Sequence, residues 1–248
     1  MTQTLLWKNV QNLYEPKLRD ARLRFATISH ISDILAPNIE PAFLELFLIH
    51  FHALGVGMVE PVEGWICRTG KRSEKMGIPE LSRYCQIHEK QETNHHLLMI
   101  QDTFTLVNHW NDRYSATLDI NQLLAQPMTP GVQMYRRLHE DVIASDAPYS
   151  HLAIAYEIEL LAIDHGRYLL EQCTRVLGST LAKSLSFLQL HVDLDVGHTQ
   201  FNTNQLEQLL DRHPDYASSL IHAGTAALDA YAMFVNECLQ FSKSIQNI

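Results

Sequence analysis

Four cysteines, Cys67, Cys85, Cys173 and Cys238, are scattered along 248 residues with no CxxC pair among them. That spacing excludes a disulfide framework or a zinc ribbon and leads us to expect a cytoplasmic chain. Long apolar runs are also missing, since no stretch reaches the ~18 uncharged residues of a membrane span. The most apolar segment, PAFLELFLIHFHALGVGMV, is interrupted by Glu45, His50 and His52 and reads as a buried core helix. The opening MTQTLLWKNV lacks the basic start and unbroken apolar run of a secretory leader. Positive charge is scarce: 19 Lys and Arg against 28 Asp and Glu leave a net charge of −9. Neutralising phosphates needs clustered Lys and Arg, so neither nucleic acid nor a membrane surface is expected as a partner. The basic residues around Arg68, Lys71, Arg72 and Lys75 read as a short patch on a solvated loop. Runs of period-two strand patterning, internal repeats and low-complexity linkers are absent as well.

What is present is helical periodicity. LRDARLRFATISHISDIL repeats apolar residues every three or four positions, and IEPAFLELFLIHFHAL follows the break at Pro37. A loop rich in Gly, Pro and charge is expected from about Gly55 to Gly77, then a long helix from Pro79 toward Trp110. TPGVQMYRRLHEDVIAS predicts another helix, and the run from His151 gives about seven turns before Gly178. Ser179 or Thr180 is placed to cap the helix after that. The pattern predicts one all-α domain over residues 1–248, a bundle of about seven helices.

Fourteen histidines are many for this length, and several cluster with carboxylates. In LQLHVDLDVGHTQF, helical spacing stacks His191, Asp195 and His198 on one face. The helix from Pro79 offers His88, Glu89, Glu92, His95 and His96 in several registers: Glu89 with His96 two turns on, Glu92 with His95, or a stripe of His88, Glu92 and His95. In AYEIELLAIDHG, Glu157 and Glu159 interrupt an apolar stretch, and a carboxylate buried there needs a partner, either a metal cation or an arginine such as Arg167. Each cluster alone is compatible with a structural ion pair or a solvated face. Three helices that each offer ligands at helical spacing point to a shared metal site. Imidazoles and carboxylates without thiolate suit iron or manganese, and six ligands suit two metals rather than one.

This arrangement resembles the haem-oxygenase-like di-iron oxidases. The family's motif is a glutamate with a histidine seven residues later, a glutamate on the next helix, and H-x-x-x-D-x-x-H on the third. Glu89 and His96, then Glu157, then His191, Asp195 and His198 match it in order. The resemblance implies a haem-oxygenase-like bundle whose six matching residues are the metal ligands and carry the catalysis. It also implies two Fe(II) ions as cofactor, O2 as co-substrate, a small amino-acid substrate, an external electron donor and a homodimer. The reaction expected is oxidative conversion of a (brominated) tryptophan to an indole-3-carbonitrile. Another oxidative fragmentation or N-oxygenation of an amino or carboxylic acid, or a metal-free thiaminase-like hydrolase, stays open on the same fold. A ferritin-like bundle, using Glu92 with His95 and Asp195 with His198, is the structural rival.

Overall fold

The computed structural model describes the backbone of residues 7–246, and their side chains apart from 193–198 and 245–246. Among the described residues there is no strand, and ten helices exceed ten residues. They are α1 (Glu15–Ile28), α2 (Pro41–Val59), α3 (Val62–Lys75), α4 (Pro79–Gln91), α5 (His95–Arg113), α6 (Pro130–Ala144), α7 (His151–Leu161), α8 (Arg167–Leu177), α9 (Ser186–Arg212) and α10 (Ala217–Gln246). The number exceeds the expected seven because some long runs are divided: a π turn, Ala162–Gly166, joins α7 to α8, and a short turn separates α4 from α5. Proline in the first turn starts α1, α2, α4 and α6, where its missing N–H would have had no helical partner.

The apolar segment from Pro41 becomes the central helix. Thirteen residues of α2 between Leu44 and Met58 are buried, which is why its sequence shows no polar face. The helical stretch Pro41–Lys75, α2 with α3, is long and apolar enough to cross a membrane, but 78% of its most apolar window is buried in the protein. Its polar residues are held internally. Glu45 accepts from His109 at 2.6 Å and from Arg113 at 3.1 Å. His52 Nδ1 donates to the Leu48 carbonyl at 2.7 Å, and its Nε2 lies 3.4 Å from Asp102. His50 stacks on Phe241, and burial pushes it down to about 4, so it stays uncharged.

Two apolar clusters fill the interior. One joins α2 to α5, α6, α8 and the first turn of α9; the other joins α1, α3, α4, α7 and the second half of α9. Helix α10 contributes to both, with Phe234 and Val235 in the first and Leu220 and Leu228 in the second. The N-terminal segment is tied to α9, where Glu207 accepts from the backbone N–H groups of Asn9 and Val10 and Asn204 accepts from Trp7.

Three expectations are corrected. The loop from Gly55 to Gly77 is mostly helical, because Gly55 and Gly70 serve close packing and only Gly77 serves a turn: a Cβ on Gly55 would stand 2.5 Å from the Met99 methyl, and one on Gly70 2.8 Å from Cβ of Cys85, whereas Gly77 has φ of 79°. The basic patch is accordingly on α3, where Arg68 pairs with Glu140 and Arg72 donates to the Ala144 and Ser145 carbonyls at the end of α6. Neither Ser179 nor Thr180 caps the helix that carries His191. They belong to a short helix, Ser179–Ser184, and the chain breaks again at Leu185 before α9 begins.

The cap comes from another helix. Asp102 of α5, fully buried, accepts from Ser186 N (2.9 Å), Ser186 Oγ (2.7 Å) and Phe187 N (2.8 Å). A carboxylate at this end also complements the helix dipole. We expect Asp102→Ala to cost about 2 kcal/mol, since it removes a cap and strands buried donors. Urea denaturation checks this, and an unchanged midpoint would contradict it.

Candidate metal centre

The ligand-bearing helices are positioned by a break and a cap. Helix α4 stops at Gln91, and Asn94 turns the chain with φ of 66°, a left-handed conformation that asparagine tolerates better than most residues. The Thr93 hydroxyl donates to the Glu89 carbonyl at 3.1 Å, which helps close the end of α4. His95 then opens α5, so Glu92 and His95 face each other across a turn, with Oε2 and Nδ1 3.0 Å apart. From the capped end of α9, His191 brings its ring to 5.0 Å from that of His95. Glu92, His95 and His191 thus offer three ligand atoms within 4.8 Å of one another.

Their surroundings fit a cation. His191 Nδ1 donates to the Phe187 carbonyl at 2.8 Å, which fixes the tautomer and leaves Nε2 as the nitrogen that could bind a metal. His88 brings Nε2 to 3.5 Å from Glu92 and 3.3 Å from Glu159. Burial disfavours its charge, but hydrogen bonds and charge from Glu159 and Glu92 outweigh this and raise it to about 9. Glu92 is likewise pushed up by burial and, on balance, pulled well below the usual carboxylate range by His88 and His95. Tyr84 donates to Asn202 Oδ1 and Asn202 donates to Glu159, while Tyr84 Oη lies 3.0 Å from His88 Nδ1. Two carboxylates with 11% of their side chains exposed are therefore gathered around one imidazolium, an excess of negative charge that a metal ion would balance.

The six residues expected from the sequence are distributed unevenly. His191 is in the cluster. Glu89 and His96 are outside it: the break at Glu92–Asn94 interrupts the continuous helix that would have put them on one face. Glu157 points to the opposite side of α7, where Arg22 donates to it through Nε (2.9 Å) and Nη2 (2.8 Å), so an arginine and not a metal answers its charge. Burial raises Glu157 despite Arg22. Glu159, two residues on, faces His88 and Glu92 instead. The side chains of Asp195 and His198 lie outside the described residues. The sequence does contain a clue to the break, because Thr93 and Asn94 are turn formers in the middle of a helical run.

Beside the cluster lies a cavity of about 180 Å³ at the seam between the two apolar clusters. His88, Glu92, Glu159 and His191 line it together with aromatic residues such as Phe51, Phe187 and Phe234. Among the described residues lining it there is no lysine, arginine or cysteine.

No protein-family model matches the chain, and no curated protein matches it by sequence. Solved structures do match. A domain of unknown function with a heme oxygenase-like fold from Shewanella denitrificans OS217 superposes with a TM-score of 0.71 at 16% identity, covering 92% of each chain. A TenA homolog from Pseudomonas syringae pv. tomato str. DC3000 gives 0.67 at 15% identity, covering 92% of this chain and 93% of the other. The fold is haem-oxygenase-like. The ferritin-like alternative is thereby set aside, although the Glu92–His95 pair it invoked is the pair found here.

Substitution should separate the cluster residues from Glu157. Glu92→Ala, His95→Ala and His191→Ala should each weaken Co(II) or Zn(II) binding by at least ~10-fold in a titration. Glu157→Gln should leave metal affinity unchanged and cost about 3 kcal/mol of stability, because it breaks a buried ion pair. Loss of metal binding in Glu157→Gln at retained fold would restore Glu157 as a ligand.

Proposed function

We propose that the protein is a non-haem di-iron oxidase that uses O2 to oxidise a small amino or carboxylic acid. The observation that carries this reading is the convergence of Glu92, His95 and His191 beside an apolar cavity whose wall includes Glu92 and His191. Glu159 is the fourth ligand of the proposal, and Asp195 and His198, on the same helix as His191, complete a set for two metals. Carboxylate and imidazole donors suit Fe(II), and a pair of Fe(II) ions would supply the capacity to activate O2. The residues of this chain do the rest. His191 is held in one tautomer by the Phe187 carbonyl, Asn202 steadies Glu159, and the aromatic wall keeps bulk water from the reacting face.

The aromatic wall favours an aromatic amino acid, and conversion of tryptophan or a brominated tryptophan to an indole-3-carbonitrile is the reaction we put first. With no lysine or arginine among the described lining residues, a carboxylate on the substrate would rely on the metal for its counter-charge. Anaerobic reconstitution with Fe(II), followed by O2 and a reductant, should give O2 uptake that depends on the amino acid and a new product by mass spectrometry. His191→Ala should abolish both. Tryptophan analogues that leave O2 uptake and mass spectra unchanged would sink the substrate assignment, while uptake with another amino or carboxylic acid would keep the oxidase.

The TenA-like neighbour invites a metal-free thiaminase-like hydrolase as a second reading, but its nucleophile is missing from the cavity. None of the four cysteines lines it, and burial pushes Cys85 and Cys173 each up to about 12. Activity indifferent to chelators would favour the hydrolase.

A further inference from the structure

The cavity contains a second polar feature that the metal reading leaves unused. His139 of α6 and His151, the first residue of α7, both line it and are only 3% and 5% exposed. His139 Nδ1 and His151 Nε2 lie 2.9 Å apart, so one ring donates and the other accepts. That bond uses one nitrogen of each ring. Nε2 of His139 is buried without a hydrogen-bond partner, an arrangement that folded proteins seldom leave unfilled.

The ring has little freedom to find another partner. Trp65 stacks on His139 with centroids 3.9 Å apart and planes 8° from parallel, and Tyr135 meets it edge-on at 4.5 Å. Trp65 is fixed in turn by donating to Glu140 at 2.7 Å. Burial, reinforced by nearby positive charge, pushes His151 down to about 3 and His139 well below its ordinary value. At neutral pH the pair is uncharged, so it can give or accept a hydrogen bond but cannot balance an ionised group. The remainder of the described cavity wall is mostly aromatic and aliphatic.

We propose that His139 and His151 form a ligand subsite in the cavity, one that receives an uncharged hydroxyl or N–H group carried on an apolar body. A hydroxyl suits it best. It both donates and accepts, so it satisfies His139 Nε2 in either tautomer, and the hydrogen bond between the rings makes the two tautomers change together. The subsite goes beyond the oxidase reading and does not require it, since neither ring belongs to the metal cluster.

Phenol and toluene are the probes, nearly equal in size and small enough for an apolar cavity of this kind. With the full-length, metal-free protein labelled with 15N in its histidine rings, NMR titration gives both the affinities and the ring that responds. Phenol should bind about tenfold tighter than toluene, the ordinary worth of a hydrogen bond otherwise unmade, and should move the ring nitrogens of His139 and His151. His139→Phe should reverse the order of the two probes while leaving Co(II) stoichiometry unchanged. If that variant does not fold, the ring shifts in the unaltered protein still decide. Toluene binding as well as phenol, binding of neither, or phenol binding without a response from these rings would overturn the subsite and leave water as the partner. Because metal stoichiometry is read separately, failure of the metal centre would be distinguishable from failure of the subsite.

Discussion

Asp102 is the contact on which the site's geometry depends. It stands on α5 two turns beyond His95, and it closes the first turn of α9 a little more than one turn before His191. One buried carboxylate therefore fixes the relative position of two helices that each carry a candidate ligand. Its charge is tolerable in the core because three donors from the start of α9 converge on it. His52 extends the same connection to the central helix α2, whose other polar side chains are also held internally. Phe187 lies between these elements, with its ring against both His52 and His191. The spacing that brings His95 and His191 together is thus set by a cap.

The second constraint is the cost of burying charge. Glu157 and Glu159 are two residues apart on α7, which sends them to opposite sides of the helix. Glu157 meets Arg22 and belongs to the scaffold, in a network with Glu15 and Tyr156. Glu159, on the cavity wall, meets His88 and Asn202. The two apolar clusters do not close against each other completely, and the cavity occupies the gap. Glu92, Glu159 and the neutral histidine pair all line that gap.

Much of the fold was legible in the sequence because it follows from local regularities. Apolar spacing marked most helices, Pro79 marked one start, and Gly178 marked the end of α8. The glycines between Gly55 and Gly77 misled, because a residue without Cβ serves a turn and a close helix crossing equally well, and sequence does not show the neighbour. The site was legible in kind and less so in detail. Pairing Glu89 with His96 assumed one straight helix, and a break of three residues instead brings Glu92 and His95 toward His191. The histidine pair of α6 and α7 gave no signal, since its members are linked only through folding.

By itself the sequence determined the all-α class, the central buried helix, and a supply of histidines and carboxylates on three segments suited to a hard metal. These are consequences of composition and of periodicity within one helix. Tertiary structure decided which of those side chains share a point in space. It turned Glu157 toward an arginine and Glu159 toward an imidazole, set His191 by means of a carboxylate on another helix, and left the histidine pair facing a cavity. The physical reason is the same throughout: a buried charge or polar group takes its role from the partner that answers it, and that partner comes from a distant part of the chain.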